Sequence, residues 1–334
     1  MPVLYLTEQG STLRKDGNRL IVSKDGQVLQ EFPTIKVEQV IVFGNVNLTT
    51  PVIHYLFHEG IDCVFCSSYG RYHGRLFSTE SKFGLLRQIQ LQAAAEPAIR
   101  LSITREIARG KLLNQRTLLF RHLRETGRIE LKSAAEGIQQ CLDNLDKSNE
   151  VAILRGLEGY ASNLYYGAFK ELLKQDMGFV SRARRPPTDP VNSLLSFGYT
   201  LLVYGVQAAV HIVGLDPFIG FFHATKYSRP SLVLDLMEEF RAIVVDSVVL
   251  RAINTHAITI KDFEPPQESR RGVFLTQEGI KKFIHHYEER VQTEVTHPLD
   301  KVKVSYRRCF ELQARHLERT ILGKEPRYQP FLIK

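Results

Sequence analysis
Near residues 77–84 the hydrophobic pattern of this chain changes period, and the change divides the chain into two folding problems. Before it lie short runs rich in Val, Ile and aromatic residues: VLYL, NRLIVSK, VEQVIVFG and IDCVFCS. Turn signals separate them at Asp16-Gly17-Asn18 and Lys24-Asp25-Gly26, and Asp-Gly pairs tolerate the positive φ that hairpins need. A short helix is expected over 51–59, stopped by Gly60. After the change, apolar residues recur at three-and-four spacing. They predict helices over 82–95, 98–126, 132–145, 148–176, 190–213, 231–254, 276–292 and 299–322. The segments 177–190 and 260–275 read as loops. The expected fold class is therefore α+β: a small N-terminal β domain, 1–80, followed by a larger all-helical domain, 81–334.

Several classes drop out. No uninterrupted apolar run approaches the roughly 18 residues that span a bilayer, so no membrane partner is expected. The opening MPVLYLTEQG lacks the basic and apolar regions of a secretory signal. Four cysteines are too few for a disulfide scaffold, and a cytoplasmic location is expected. The pair Cys63 and Cys66 lies in an expected strand, where residues three apart face opposite sides, so it reads as buried and structural. No Walker loop, no GxGxxG before a helix and no HExxH is present.

Charge is uneven. The chain has 44 Lys+Arg against 36 Asp+Glu, yet residues 1–80 hold 7 and 8 of them. The excess lies in the helical part, most densely over 98–128, where Arg100, Arg105, Arg109, Lys111, Arg116, Arg121, Arg124 and Arg128 face only Glu106 and Glu125. A second cluster is Arg182, Arg184 and Arg185. Such clusters are either solvated helix faces or phosphate contacts.

Two places carry chemistry. In the helix expected over 148–176, positions 151, 154, 158, 161, 165, 168 and 172 share one face and read Val, Leu, Glu, Ala, Tyr, Ala, Leu. Glu158 stands where a core residue belongs. A carboxylate there is paired with a cation, bound to metal or at a groove edge, because stripping its water is costly. Gly156 and Gly159 flank it and leave room for an approaching group. The second place is PFIGFFHATKYSRPSLVLDLMEEFR, 217–241. His223 closes an apolar run, and Asp235, Glu238 and Glu239 follow on a helix opened by Pro230 and Ser231. Asp235 and Glu238 share a face. A histidine, clustered acids and a stripe glutamate together suggest a divalent-metal site with nitrogen and oxygen ligands.

The segments LRGLEGYASNLYYGAF (154–169), RRPPTDPVNSLLSFGYTLL (184–202), GLDPFIGFFH (214–223), RPSLVLDLMEEFR (229–241) and YQPFLIK (328–334) resemble the CRISPR-associated spacer-acquisition integrase and endonuclease, the nuclease family of CRISPR adaptation. The resemblance covers the whole chain. It implies a β domain that forms a homodimer and a helical catalytic domain. It implies Mg2+ or Mn2+ held by Glu158, His223 and Glu238, with Asp235 as an accessory acid. The implied reaction joins the 3′-hydroxyl ends of short double-stranded DNA fragments to the CRISPR repeat by transesterification. The implied partners are DNA and a small dimeric CRISPR-associated adaptation protein. Arg182, Arg184, Arg185, Lys226 and Arg229 are the expected phosphate contacts. Two rivals remain at this point: a stand-alone structure-specific metal-dependent nuclease, and a non-catalytic DNA-binding scaffold.

Overall fold
The computed structural model describes residues 3–76, 83–184, 186–264 and 271–333. Contacts group Met1–Ser81 with Leu275–Lys281 into one compact unit, and Lys82–Phe274 with Lys282–Lys334 into another. The second unit is thus not contiguous in sequence.

The first unit holds two four-stranded sheets and one helix. Strands β1 (Val3–Leu6), β5 (Gln39–Phe43), β7 (Asp62–Cys66) and β8 (Tyr72–Leu76) form one sheet in that order, parallel except for β8. Strands β4 (Gln27–Pro33), β3 (Arg19–Lys24), β2 (Thr12–Asp16) and β6 (Asn47–Leu48) form the other. Helix α1 (Thr50–His58) ends at Gly60, which takes the left-handed conformation the chain reversal requires. Leu4, Leu13, Leu20, Val40, Val52 and Cys63 from both sheets and α1 meet in one core. Strands β2, β4, β6 and β8 carry no clear apolar alternation. Their pairing comes from the neighbouring strand, which is why the sequence pattern misses them. Cys63 and Cys66 are buried free thiols, and burial pushes the Cys63 thiol up to about 12.

The second unit is mainly helical: α2 (Gly84–Ala95), α3 (Pro97–Thr126), α4 (Ile129–Leu145), α5 (Val151–Phe169), α6 (Pro190–Val213), α7 (Ser231–Met237), α8 (Ser247–Asn254), the larger part of α9 (Gln277–Gln292), whose first residues group with the first unit, and α10 (Tyr306–Ile321). It is not all-helical. The expected helix 299–322 begins only at Tyr306, and β9 (Glu294–Thr296) pairs with β10 (Lys303–Ser305) before it. Pro298 cannot continue a helix and Lys301 takes a positive φ, so the connection turns back as a hairpin. The helix expected over 148–176 is also shorter, tightening after Phe169 into a 3-10 turn that ends at Leu172. The third difference lies at 231–254. There α7 tightens over Glu238–Phe240, widens into a π-helical turn over Arg241–Asp246 and resumes as α8. Such a turn re-phases the side chains beyond it and is common at functional sites.

Helix α6 is the helix among the described residues that is long and apolar enough to cross a membrane. Its apolar window is 72% buried inside the protein, which makes it a core helix. Its start explains one of the sequence motifs. Asp189 caps it by accepting from the Asn192 backbone N–H at 2.8 Å, with Pro190 at the first helical position.

Candidate metal centre
The α5 stripe is buried as expected: Leu154, Ala161 and Tyr165 are fully covered. Glu158 breaks this stripe and turns toward α3. There Lys111 occupies the equivalent position in its own stripe, after Ile103 and Ile107 and before Asn114 and Leu118. The Lys111 ammonium bridges two carboxylates. It donates to Glu158 Oε1 and lies 2.8 Å from Glu238 Oε2. Ser162, one turn on from Glu158, donates to the same Oε1 at 2.8 Å. Glu238 Oε2 also lies 3.0 Å from Arg241 Nε. Burial would raise the Glu238 carboxyl, but Arg241 and Lys111 outweigh it and hold it down at about 2. Burial would likewise lower Lys111, but Glu238 and Glu158 keep it raised.

His223 completes the cluster, and Asp235 sets its orientation. The Asp235 carboxylate is fully buried and accepts four hydrogen bonds. Three come from the consecutive backbone N–H groups of Phe221 (2.6 Å), Phe222 (3.0 Å) and His223 (2.8 Å), and the fourth from His223 Nδ1 (2.7 Å). A carboxylate accepts at Nδ1 only if that nitrogen carries the proton, so in the neutral ring the lone pair is on Nε2. Nε2 faces Glu238 Oε1 at 3.7 Å, too far for a hydrogen bond. Gly220 makes the cradle possible, because a Cβ there would stand 2.8 Å from Asp235 Oδ2 and from Ser231. Two arginines brace the loop from outside. Arg155 Nε donates to Phe222 O at 2.6 Å, and Arg100 Nε donates to Phe221 O at 3.0 Å. Burial, together with the neighbouring Arg100, lowers the Arg155 guanidinium.

Glu158, His223, Glu238 and Asp235 are thus brought together. Glu239 is not. It turns to the opposite side, where it accepts from Gln313 Nε2 (2.8 Å), from the Phe331 N–H (2.7 Å) and from Tyr328 OH. It anchors the C-terminal segment, and burial raises its carboxyl to about 7. Gly110 completes that anchor, since a Cβ there would meet Pro330 at 2.4 Å.

The expected phosphate contacts separate into three groups. Arg182 turns toward α6. Its Nη atoms donate to Asn192 Oδ1 (2.7 Å) and Ser196 Oγ (3.1 Å) and the guanidinium lies over the Tyr199 ring, while its buried Nε has no hydrogen-bond partner. Arg184 and Lys226 are exposed, and Arg229 is half-buried in the loop between His223 and α7. Arg185 lies outside the described residues. The basic excess over 98–128 is largely engaged within the protein: Arg100 and Arg105 donate to backbone carbonyls, Arg109 pairs with Glu106 and Asp146, Arg128 pairs with Glu171, and Lys111 is buried. Lys111 and Arg241 were not expected from sequence. The signal for Lys111 was present, because a charge in an apolar stripe marks it just as it marks Glu158.

Among the described residues no three His, Cys, Asp or Glu side chains are gathered closely enough to hold a metal ion as they stand; Glu158 and Glu238 meet on Lys111 instead. Both contacts of Glu158 fall on Oε1 and both cations beside Glu238 lie at Oε2, so the fit to a divalent cation rests on donor chemistry. Two carboxylates and one imidazole suit Mg2+ or Mn2+, with the nitrogen favouring Mn2+.

The profile of the family described as CRISPR associated protein Cas1 matches residues 4–289. The chain is 37% identical to the CRISPR-associated endonuclease Cas1 3 of Thermus thermophilus, over 99% of this chain and 97% of the relative. A Cas1 protein from Thermotoga maritima superposes with a TM-score of 0.82 at 28% identity, with 100% of both chains covered. A chain of a Cas6-RT-Cas1–Cas2 complex superposes with a TM-score of 0.85 at 25% identity; this chain is fully covered and spans 36% of that longer polypeptide.

Proposed function
The chain belongs to the Cas1 family of CRISPR-associated proteins, and on that premise we propose that it is a metal-dependent DNA endonuclease and integrase of CRISPR adaptation. The observation that carries the reading is the locked imidazole. A buried carboxylate fixes the tautomer of His223 so that Nε2 faces Glu238, within a cluster that also holds Glu158. A scaffold that only bound DNA would gain nothing from three acids and a histidine arranged this way in its core. Glu158, His223 and Glu238 would hold Mg2+ or Mn2+, which when bound offsets negative charge on the scissile phosphate.

The chain's own residues do the rest. Asp235 keeps the His223 ring in place and its proton on Nδ1. Lys111 lies against both glutamates and Arg241 against Glu238, and together they keep Glu238 ionised in a covered site. In the proposed reaction the 3′-oxygen of a DNA fragment forms a bond to the phosphorus of the repeat strand. The bond from phosphorus to the strand's own 3′-oxygen breaks, and the proton of the attacking hydroxyl ends on that leaving oxygen. With water as the nucleophile, the same site hydrolyses the strand, the activity that the relatives' names record. Arg184, Lys226 and Arg229 are the phosphate contacts of this reading. The small partner is a Cas2-type protein, as in the complex above. The homodimer forms through the β unit, where the edge strand β4 exposes Val28 and Leu29.

The test is a strand-transfer assay with a 3′-hydroxyl fragment and supercoiled repeat DNA, titrated with Mg2+ and Mn2+ with and without the small partner. Joined products that vanish in chelator support the reading. Cleavage without joining at every metal concentration favours the stand-alone nuclease.

A further inference from the structure
We propose that Lys111 is a positioning residue: a fixed internal cation that holds Glu158 and Glu238 together before metal arrives and keeps the affinity of the site for a divalent ion low. This inference rests on the metal reading above and adds a role for a residue outside the ligand set.

Lys111 is 5% exposed, in the buried stripe of a 30-residue helix, so its ammonium cannot swing to solvent. A buried ammonium needs anionic partners, and it has two, one from α5 and one from the segment after α7. Two carboxylates converging on one point repel each other, and Lys111 is the group that touches both. Its contacts are also selective. It engages Oε1 of Glu158 and Oε2 of Glu238, while Oε1 of Glu238 is left facing His223 Nε2. Lys111 thus takes one oxygen from each acid and leaves the other.

Charge gives the second half. Arg241 pairs with Glu238 at 3.0 Å, so two fixed cations stand against two glutamates when His223 is neutral. A divalent ion entering there meets a carboxylate pair already balanced, with an ammonium close by. Removing that ammonium while keeping its volume strengthens the field on the ion, and the effect is doubled by the ion's two charges. The metal-free protein changes in the opposite direction, because the acids lose the cation they share.

The experiment uses the full chain with Lys111→Met and Mn2+ as the probe. Free Mn2+ is followed by electron paramagnetic resonance, and melting is followed in chelator and in Mn2+. The expected result is at least tenfold tighter Mn2+ binding than wild type, a lower melting temperature in chelator and a larger upward shift on adding Mn2+. A purely structural lysine would not tighten metal binding. Equal affinity in the two proteins overturns the inference and leaves the metal reading standing. No Mn2+ binding by either protein overturns both. If Lys111→Met does not fold, the double variant Lys111→Met with Glu158→Gln decides, since it removes the repulsion along with the cation. It should melt near wild type in chelator; failure to fold would reduce Lys111 to a packing role and end the proposal.

Discussion

Replacing Asp235 with Asn changes one oxygen of the cradle into an amide nitrogen and tests why His223 is oriented as it is. Oδ2 accepts from Phe221 N and Phe222 N, and Oδ1 accepts from His223 N and Nδ1. An amide satisfies only one of these pairs. With its oxygen toward Phe221 and Phe222, its NH2 opposes the His223 backbone N–H and donates to Nδ1. That forces the ring proton onto Nε2 and removes the lone pair a metal would use. With the amide reversed, the NH2 opposes two backbone N–H groups. The first orientation loses one hydrogen bond outright and the reversed one loses two, at about 1.5–3 kcal/mol for each bond to a charged acceptor in a buried place, or roughly 1.5–6 kcal/mol. For a unit of this size, melting should fall by at least about 3 °C. Melting in chelator by circular dichroism, with Mn2+ binding by calorimetry, is the assay. We expect the melting loss together with Mn2+ affinity weakened at least 10-fold. Unchanged melting and unchanged affinity would refute the argument that this carboxylate fixes the loop and the tautomer.

Three further outcomes follow from the same geometry. Gly220→Ala should push against Asp235 Oδ2 and Ser231, costing about 1–3 kcal/mol in chemical denaturation and weakening Mn2+ binding; a neutral effect would mean the cradle relaxes freely. Asp246, bonded to Tyr165 and Tyr199, is raised by burial from 3.8 to about 6, so the folded state binds the proton more tightly. Its contribution of about 3 kcal/mol is present below about pH 3.8 and lost as pH rises through about 6, so the stability of Asp246→Asn relative to wild type should climb between pH 4 and 7. Arg182→Ala should lower the melting temperature without a specific effect on DNA affinity. Arg184→Ala should leave melting alone and reduce the slope of log affinity against log salt by about 0.9 if it contacts one duplex phosphate; the reverse pattern would exchange their roles.

The sequence made the core stripes and the anomalies within them legible. Glu158 announced itself because a carboxylate in an apolar face needs a reason, and Lys111 obeyed the same rule but was hidden in a dense run of arginines. Asp235 was visible as an acid beside the histidine. Its partnership with three successive backbone N–H groups was not, because that depends on how the 220–223 loop folds back on α7. The separation of Glu238 from Glu239 followed from helical phase, which places neighbours 100° apart. The π-helical turn that follows was not legible, since one extra residue per turn leaves no mark on an all-apolar stretch such as Ala242–Val245. Strands β2, β4, β6 and β8 were missed because their pairing partners, not their own patterns, make them strands. Arg182 looked like its exposed neighbours, and only the packing of α6 shows its guanidinium turned onto Asn192 and Ser196.

The most direct test of the metal centre is anomalous diffraction at the manganese edge from crystals of the full chain soaked in Mn2+. One strong peak is expected in each chain, bonded to Glu158, to Nε2 of His223 and to Glu238, with Asp235 still on Nδ1 and making no bond to the metal. A peak held by Asp235 or Glu239, or none among these residues, would contradict it.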